Sequence, residues 1–276
     1  MTKPEDWRGW DRETLSAAYN NSAAVAGSAA TVAGWAADSK ALRTARPAGL
    51  DKPYGATQRE GWDLFPAADP AAPCLVFIHG GYWQRNAREG FSCIVEGALA
   101  KGWSAALPGY AIAPDASLTE ITAQLRSAMD WLQAHGAANG IAGPVIVSGW
   151  SAGGHLAAMM ADHPLVRGVL AISGVFDLAP IQGTALNDAL SLTQAELLAL
   201  SPQKLPLSAT PIAVAYGGAE LPELQRQSRE FHALRAAAGA PGPLLPVPGA
   251  DHFTILAELR APGGSLLAAA EALLHG

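Results

Sequence analysis

Pro144-Val145-Ile146-Val147-Ser148-Gly149-Trp150-Ser151-Ala152-Gly153-Gly154-His155-Leu156-Ala157-Ala158-Met159-Met160 decides how this chain is read. The apolar run at 144–148 reads as a buried strand and the stretch from His155 as a helix, so Gly149-x-Ser151-x-Gly153 falls at the turn between them. Such a turn holds its serine at a strained backbone angle, and the two glycines keep side chains away from it. This is the setting of a nucleophile elbow, in which a serine hydroxyl stands exposed at the end of a strand. In a chain with 29 glycines the five-residue string alone carries little weight. The strand before it and the helix after it carry the argument.

The flanking sequence repeats the pattern. Strand-like runs at Cys74–Ile78, Trp103–Leu107, Val145–Ser148, Gly168–Ile172, Ile212–Tyr216 and Leu244–Val247 alternate with helical spacing. The helical stretches are Leu118–His135, Leu156–Asp162, Glu223–Ala238, with Phe231 and Leu234 on its buried face, and Ser265–Leu274. Alternation of this kind predicts an α/β fold with a mostly parallel sheet covered by helices on both faces. Asp6 to Arg46 has no strand signal and places Leu15, Tyr19, Val25, Val32 and Trp35 at loosely helical spacing. We therefore expect an N-terminal helical extension, 1–48, packed on one catalytic domain, 49–276. From Ala179 to Pro211 the pattern is broken by Pro180, Gly183 and Pro202, which leaves a lid, a pocket wall or a plain surface loop open.

Composition narrows the function. A net charge of −6 with no basic stripe argues against nucleic acid as a partner. Half the residues are apolar, which excludes disorder as the main state. Cys74 and Cys93 have neither metal nor redox spacing, and Cys74 reads as a small core residue. The polar start, Met1 to Asp6, precedes no apolar run of signal or membrane length, so a cytoplasmic protein without membrane contact is expected. No phosphate-binding glycine loop and no paired histidines at metal spacing occur, so neither cofactor nor metal is expected.

In a parallel sheet, chemistry gathers beyond the carboxyl ends of the strands. There, Ser151 needs a base, and His252 follows the last strand-like run and precedes the last helix. A carboxylate must orient that imidazole; Glu220, after Ile212–Tyr216, has the expected place, with Glu223, Asp177 and Asp251 as rivals. His79-Gly80-Gly81 follows Cys74–Ile78, where consecutive glycines let backbone approach a substrate. The N–H groups of Gly81 and Ala152 are the expected oxyanion hole, and His79 is expected to shape the loop rather than act as base. Tyr82, Trp83, Trp150, Phe176 and Phe253 stand near strand ends and are expected to line a slot for a planar small-molecule substrate.

Three stretches resemble the serine-type kynurenine formamidases, or arylformamidases, of the α/β-hydrolase superfamily. They are Phe77-Ile78-His79-Gly80-Gly81-Tyr82-Trp83-Gln84, the elbow from Gly149 to Met160, and Asp251-His252-Phe253. Glu220-Leu221-Pro222-Glu223-Leu224 followed by Arg226-Gln227-Ser228 is similar to the family's stretch around its acid, which usually begins Asp-Ser-Pro-Glu-Phe. The resemblance runs from about Tyr19 through Tyr54-Gly55 and Leu64-Phe65 to the C-terminal helix. It implies an α/β-hydrolase fold, a Ser151–His252–Glu220 triad, and hydrolysis of N-formylkynurenine to kynurenine and formate without metal, a step of tryptophan catabolism. A homodimer is implied only through the same resemblance. A carboxylesterase or amidase of small acyl substrates would use the same machinery, and a non-catalytic binding protein on this fold is a remoter alternative.

Overall fold

Eight strands among residues 6–275, the residues described by the computed structural model, form one sheet in the order β1-β2-β4-β3-β5-β6-β7-β8. They are β1 (Lys52–Pro53), β2 (Gly61–Phe65), β3 (Cys74–Ile78), β4 (Ser104–Pro108), β5 (Val145–Trp150), β6 (Val166–Ile172), β7 (Ile212–Gly217) and β8 (Leu244–Val247). From β4 to β8 all neighbours run parallel, while β1 and β2 form an antiparallel edge. The six expected strands are present within two residues of their expected ends. The two edge strands are additions; each is too short, or too rich in polar and aromatic residues, to stand out as an apolar run.

Parallel strands covered on both faces bury every residue, and β3, β4, β5 and β7 do so throughout. Alternate residues then feed two separate cores. Val76, Ile78, Val147, Val169 and Val214 point to one face. Leu75, Phe77, Ile146, Leu170 and Ala213 point to the other.

The helices are α1 (Arg12–Ala18), α2 (Asn21–Ala24), α3 (Ser28–Ala45), α4 (Glu96–Ala100), α5 (Leu118–His135) and α6 (Ala152–Met159). Short helices α7 (Ala179–Gln182), α8 (Asn187–Leu190) and α9 (Gln194–Ala199) follow, then α10 (Pro222–Ala237), α11 (Ala257–Arg260) and α12 (Ser265–Ala272). Helix α5 begins at a reciprocal cap between Ser117 and Glu120 and buries Leu118, Ile121, Leu125, Met129 and Leu132 along one stripe. On α10 the buried stripe is Leu224, Gln227, Ser228, Phe231 and Arg235, and Leu234 is 40% exposed. The expectation for Leu234 is thus corrected: ten residues beyond Leu224 it has turned about 80° off the stripe.

Residues 12–45 cross from one face of the sheet to the other. Leu15 and Tyr19 belong to the core that holds Val76, whereas Trp35 belongs to the core that holds Leu75. The crossing passes over the carboxyl ends of the central strands. The expected division into 1–48 and 49–276 includes residues 1–5 and 276, which lie outside the described range.

Candidate active site

The elbow forms where β5 meets α6. Ser151 has φ 58° and ψ −120°, a strained combination for a residue with a side chain. It is held there on both sides: its N–H donates to Ile172 O (2.9 Å), and its C=O accepts from His155 N (3.1 Å). A Cβ at Gly149 would overlap Gly153 O, and one at Gly153 would overlap Ile78 O. Glycine is required at both places by close backbone approach.

The loop after β3 lies against this elbow. A Cβ at Gly80 would come within 2.5 Å of Trp150 O and 3.0 Å of Ser151 Cβ, and Gly81 has φ +127°. Tyr82 and Trp83 continue with φ 58° and 59°. Three successive left-handed residues need outside support. The buried His79 ring stacks on Tyr110 (4.3 Å between centroids), and its Nδ1–H donates to Gly80 O (2.9 Å). Tyr110 O–H donates to His79 O (2.7 Å), and Asn86 Nδ2 donates to Gly80 O (3.0 Å). Arg59 donates to Asn86 O (3.0 Å), and Arg88 pairs with the fully buried Asp63 (3.2 Å) and with Asp51 (2.5 Å). Among the described residues, the N–H groups of Gly81 and Ala152 donate to no protein acceptor. Ala152 also opens α6, where the helix dipole favours negative charge.

Burial lowers the His79 pKa from 6.5 to about 4, with nearby Arg59 and Arg88 adding to the effect against the hydrogen bond to Gly80. A fully buried, neutral ring suits a role in shaping the loop. Trp83 is fixed in a comparable way: its Nε1–H donates to His155 Nδ1 (3.2 Å), and His155 Nε2–H donates to Leu200 O (2.7 Å). Burial also lowers the His155 pKa to about 4. This chain of bonds ties the loop after β3 to the elbow helix and to the segment beyond α9.

His252 sits in the turn after β8. Asp251 carboxylate accepts from the N–H groups of Phe253 and Thr254 (2.8 Å each), and Trp150 Nε1–H donates to His252 O (2.6 Å). The elbow tryptophan therefore helps to hold the candidate base. His252 Nδ1 stands 3.6 Å from Glu220 Oε1, and both side chains are buried. The other Glu220 oxygen, Oε2, has no partner, while Ser173 at the end of β6 donates its hydroxyl to Oε1. Ser173 is itself left-handed, at φ 51°.

The rival carboxylates are engaged elsewhere. Glu223 pairs with Arg226 (2.6 Å) and accepts from Tyr19 O–H (3.2 Å). Asp177 pairs with Lys204 (3.1 Å) and accepts from Ala179 N (3.1 Å). Asp251 caps its own turn. Glu220 is the carboxylate brought to the imidazole.

A cavity of about 310 Å³ opens over these groups. Ser151, His252, Gly81, Tyr82, Trp150 and Phe253 border it. Trp83 and Phe176, expected beside them, do not: Trp83 turns inward to His155, and Phe176 stacks on Phe231 at 4.3 Å inside the core. Each has an internal partner for its ring, so the expectation that they line the slot is corrected. The opposite wall is Ser22, Ser28, Ala29 and Val32, from the N-terminal crossing. Sequence carried no signal for those four, because nothing along the chain marks which residues of a helical segment lie across a strand end. Arg85 and Asn86, also at the wall, follow directly on the Gly81-Tyr82-Trp83 string and were within reach of the sequence. None of 179–211 borders the cavity. A serine, an imidazole with a buried carboxylate behind it, and two free amide donors around one cavity can carry out acyl transfer.

Comparison with known proteins agrees with that chemistry. A family profile described as BD-FAE matches residues 64–198. The chain is 30% identical over 227 residues to the kynurenine formamidase of Danio rerio and 31% identical over 228 residues to that of Salmo salar, covering 76% of either chain in both cases. A solved structure from Silicibacter sp. TM1040, provisionally described as a thioesterase, superposes with a TM-score of 0.81 at 31% identity, over 93% of this chain and 98% of that one. The sheet is that of an α/β-hydrolase. Among the described residues no helix is long and apolar enough to cross a membrane.

Proposed function

The chain belongs to the kynurenine formamidase family and is a hydrolase, and from that premise we propose that it cleaves N-formylkynurenine to kynurenine and formate. Ser151 attacks the formyl carbon while His252 Nε2 takes the hydroxyl proton, and Glu220 behind Nδ1 keeps the ring in the required tautomer and supports its positive charge. The carbonyl oxygen, now an oxyanion, accepts from the N–H groups of Gly81 and Ala152. Collapse breaks the C–N bond, and His252 returns its proton to the departing aryl nitrogen. Water, activated by the same imidazole, then releases formate from the formyl-enzyme. The N-terminal extension, through Ser22, Ser28, Ala29 and Val32, walls the cavity of the catalytic domain, 49–276, and the protein works in the cytoplasm on a step of tryptophan catabolism.

The observation that carries this reading is the convergence of Ser151, His252 and Gly81 on one cavity with Glu220 3.6 Å behind the imidazole. A second reading, hydrolysis of a small ester or thioester by the same steps, is favoured by the Silicibacter relative, whose described activity differs and whose chain is covered almost completely. Formate release from N-formylkynurenine, measured beside acetate release from a phenyl ester and a thioester, separates the two. Turnover of the formamide that disappears in Ser151→Ala establishes the formamidase; turnover confined to the esters replaces it with the second reading.

A further inference from the structure

The lining of the cavity contains one permanently charged group. Arg85 borders it together with Ser22, Asn86, Tyr82, Trp150 and Phe253, and no aspartate or glutamate does. In a chain of net charge −6 the single permanent charge at this cavity is positive. Most arginines here are paired: Arg43 and Arg88 with Asp63, Arg126 with Asp162, Arg226 with Glu223, Arg260 with Glu96. Among the described residues Arg85 has neither an ion pair nor a side-chain hydrogen bond, although a guanidinium offers five donors.

The Arg85 side chain is exposed, and two contacts set where it stands at the rim of the cavity. Arg85 N donates to Gly81 O (2.9 Å), which ties its backbone to the candidate oxyanion glycine. The guanidinium lies 5.4 Å from the centre of the Tyr82 ring, and the Tyr82 hydroxyl oxygen accepts from Ser22 N–H (3.3 Å). The cation is thus held on an aromatic plate that itself borders the cavity, with its planar fork unspent. From this we infer that Arg85 is the residue that recognises a carboxylate which the substrate carries remote from the scissile bond. The inference rests on the proposed formamidase reading for the bond that is broken, but its charge preference stands apart from that reading.

The test is calorimetric binding to Ser151→Ala protein, so that no turnover is required. The ligands are 4-(2-formamidophenyl)-4-oxobutanoate and its uncharged carboxamide. The acid is expected to bind about tenfold to hundredfold more tightly than the carboxamide, and adding Arg85→Gln should bring the two together. Arg85→Glu should reverse the order. Equal binding of acid and carboxamide, no binding of either, or a preference for the acid that survives Arg85→Gln overturns the inference. Formate release by the Arg85 variants provides the kinetic counterpart, with the loss expected in KM rather than kcat. If wild-type protein binds the acid by way of Arg85 yet releases no formate, the formamidase reading fails while the charge preference holds.

Discussion

The two sides of the candidate site are built to different tolerances. The loop carrying Gly81 is held at every turn, by the buried pairs His79 on Tyr110, Trp83 on His155 and Arg88 on Asp63 and by the half-buried Asn86 on Gly80. The relay on the other side is looser, with His252 Nδ1 and Glu220 Oε2 both buried and unbonded and 3.6 Å between the ring and the nearer carboxylate oxygen. The difference has a physical basis. An oxyanion hole stabilises charge only if its dipoles are already aimed, since reorganising them during reaction would cancel the gain. A proton relay can close by a few tenths of an ångström when substrate enters, and catalytic hydrogen bonds are often long before that.

Both sides act through one oxygen, so the largest expected effect is that of Ser151→Ala: kcat for formate release should fall by about 10⁶-fold, and a loss under about 10³-fold would mean that another group attacks. Glu220→Gln should lower kcat by about 10⁴-fold with the fold intact, which circular dichroism checks. A smaller loss than that of Gly81→Ala would reverse the comparison, making the relay the dispensable side. Gly81→Ala forces a side chain into φ +127° and within 2.6 Å of Arg85 O, so it should displace one donor and cost about 10²–10³ in kcat.

The rigid side also predicts how stability responds to acid. His79 and His155 have folded pKa values near 4 against 6.5 when free, so below pH 6.5 the unfolded chain binds protons that the folded one refuses. Stability is therefore full above pH 6.5 and falls as pH drops toward 4, by about 2 kcal/mol per histidine at pH 5. Urea titrations at pH 7 and pH 5 measure this, and His155→Gln should remove roughly half of the difference; an unchanged midpoint would show that the loop is less tightly buried. The smallest effect is expected at the relay's support. Ser173→Ala deprives Glu220 of its hydroxyl donor and should cost about tenfold in kcat, with partial recovery in Ser173→Thr. Full activity in Ser173→Ala would show that the longer glutamate, where the family usually has aspartate, needs no such restraint.

Much of the fold and the chemical core of the site were legible along the chain. Buried parallel strands are continuous apolar runs, and four of the helices, α5, α6, α10 and α12, announce themselves by their spacing of apolar residues. Ser151, Gly81 and Glu220 were found because each follows directly on a strand, where the fold collects chemistry, and local sequence reports that place. The antiparallel edge at Lys52–Pro53 and Gly61–Phe65 was not found, because strands of two and five residues with Lys52, Trp62 and Asp63 in them have no period to read. Trp83 and Phe176 were misjudged for a related reason: an aromatic residue near a strand end can turn either way, and the partners that decide, His155 and Phe231, lie 72 and 55 positions along the chain.

Sequence by itself determined the six parallel strands and the main helices between them, the serine on its strained turn, the glycines beside it, and the residue types that acyl transfer needs, since all of these depend on neighbours a few positions away. Tertiary structure decided which of four carboxylates meets His252, that Ser173 restrains it, and that 22–32 rather than 179–211 walls the cavity. Those choices depend on distances between segments far apart in the chain. They are set by how two cores, one on each face of the sheet, pack against the same strands.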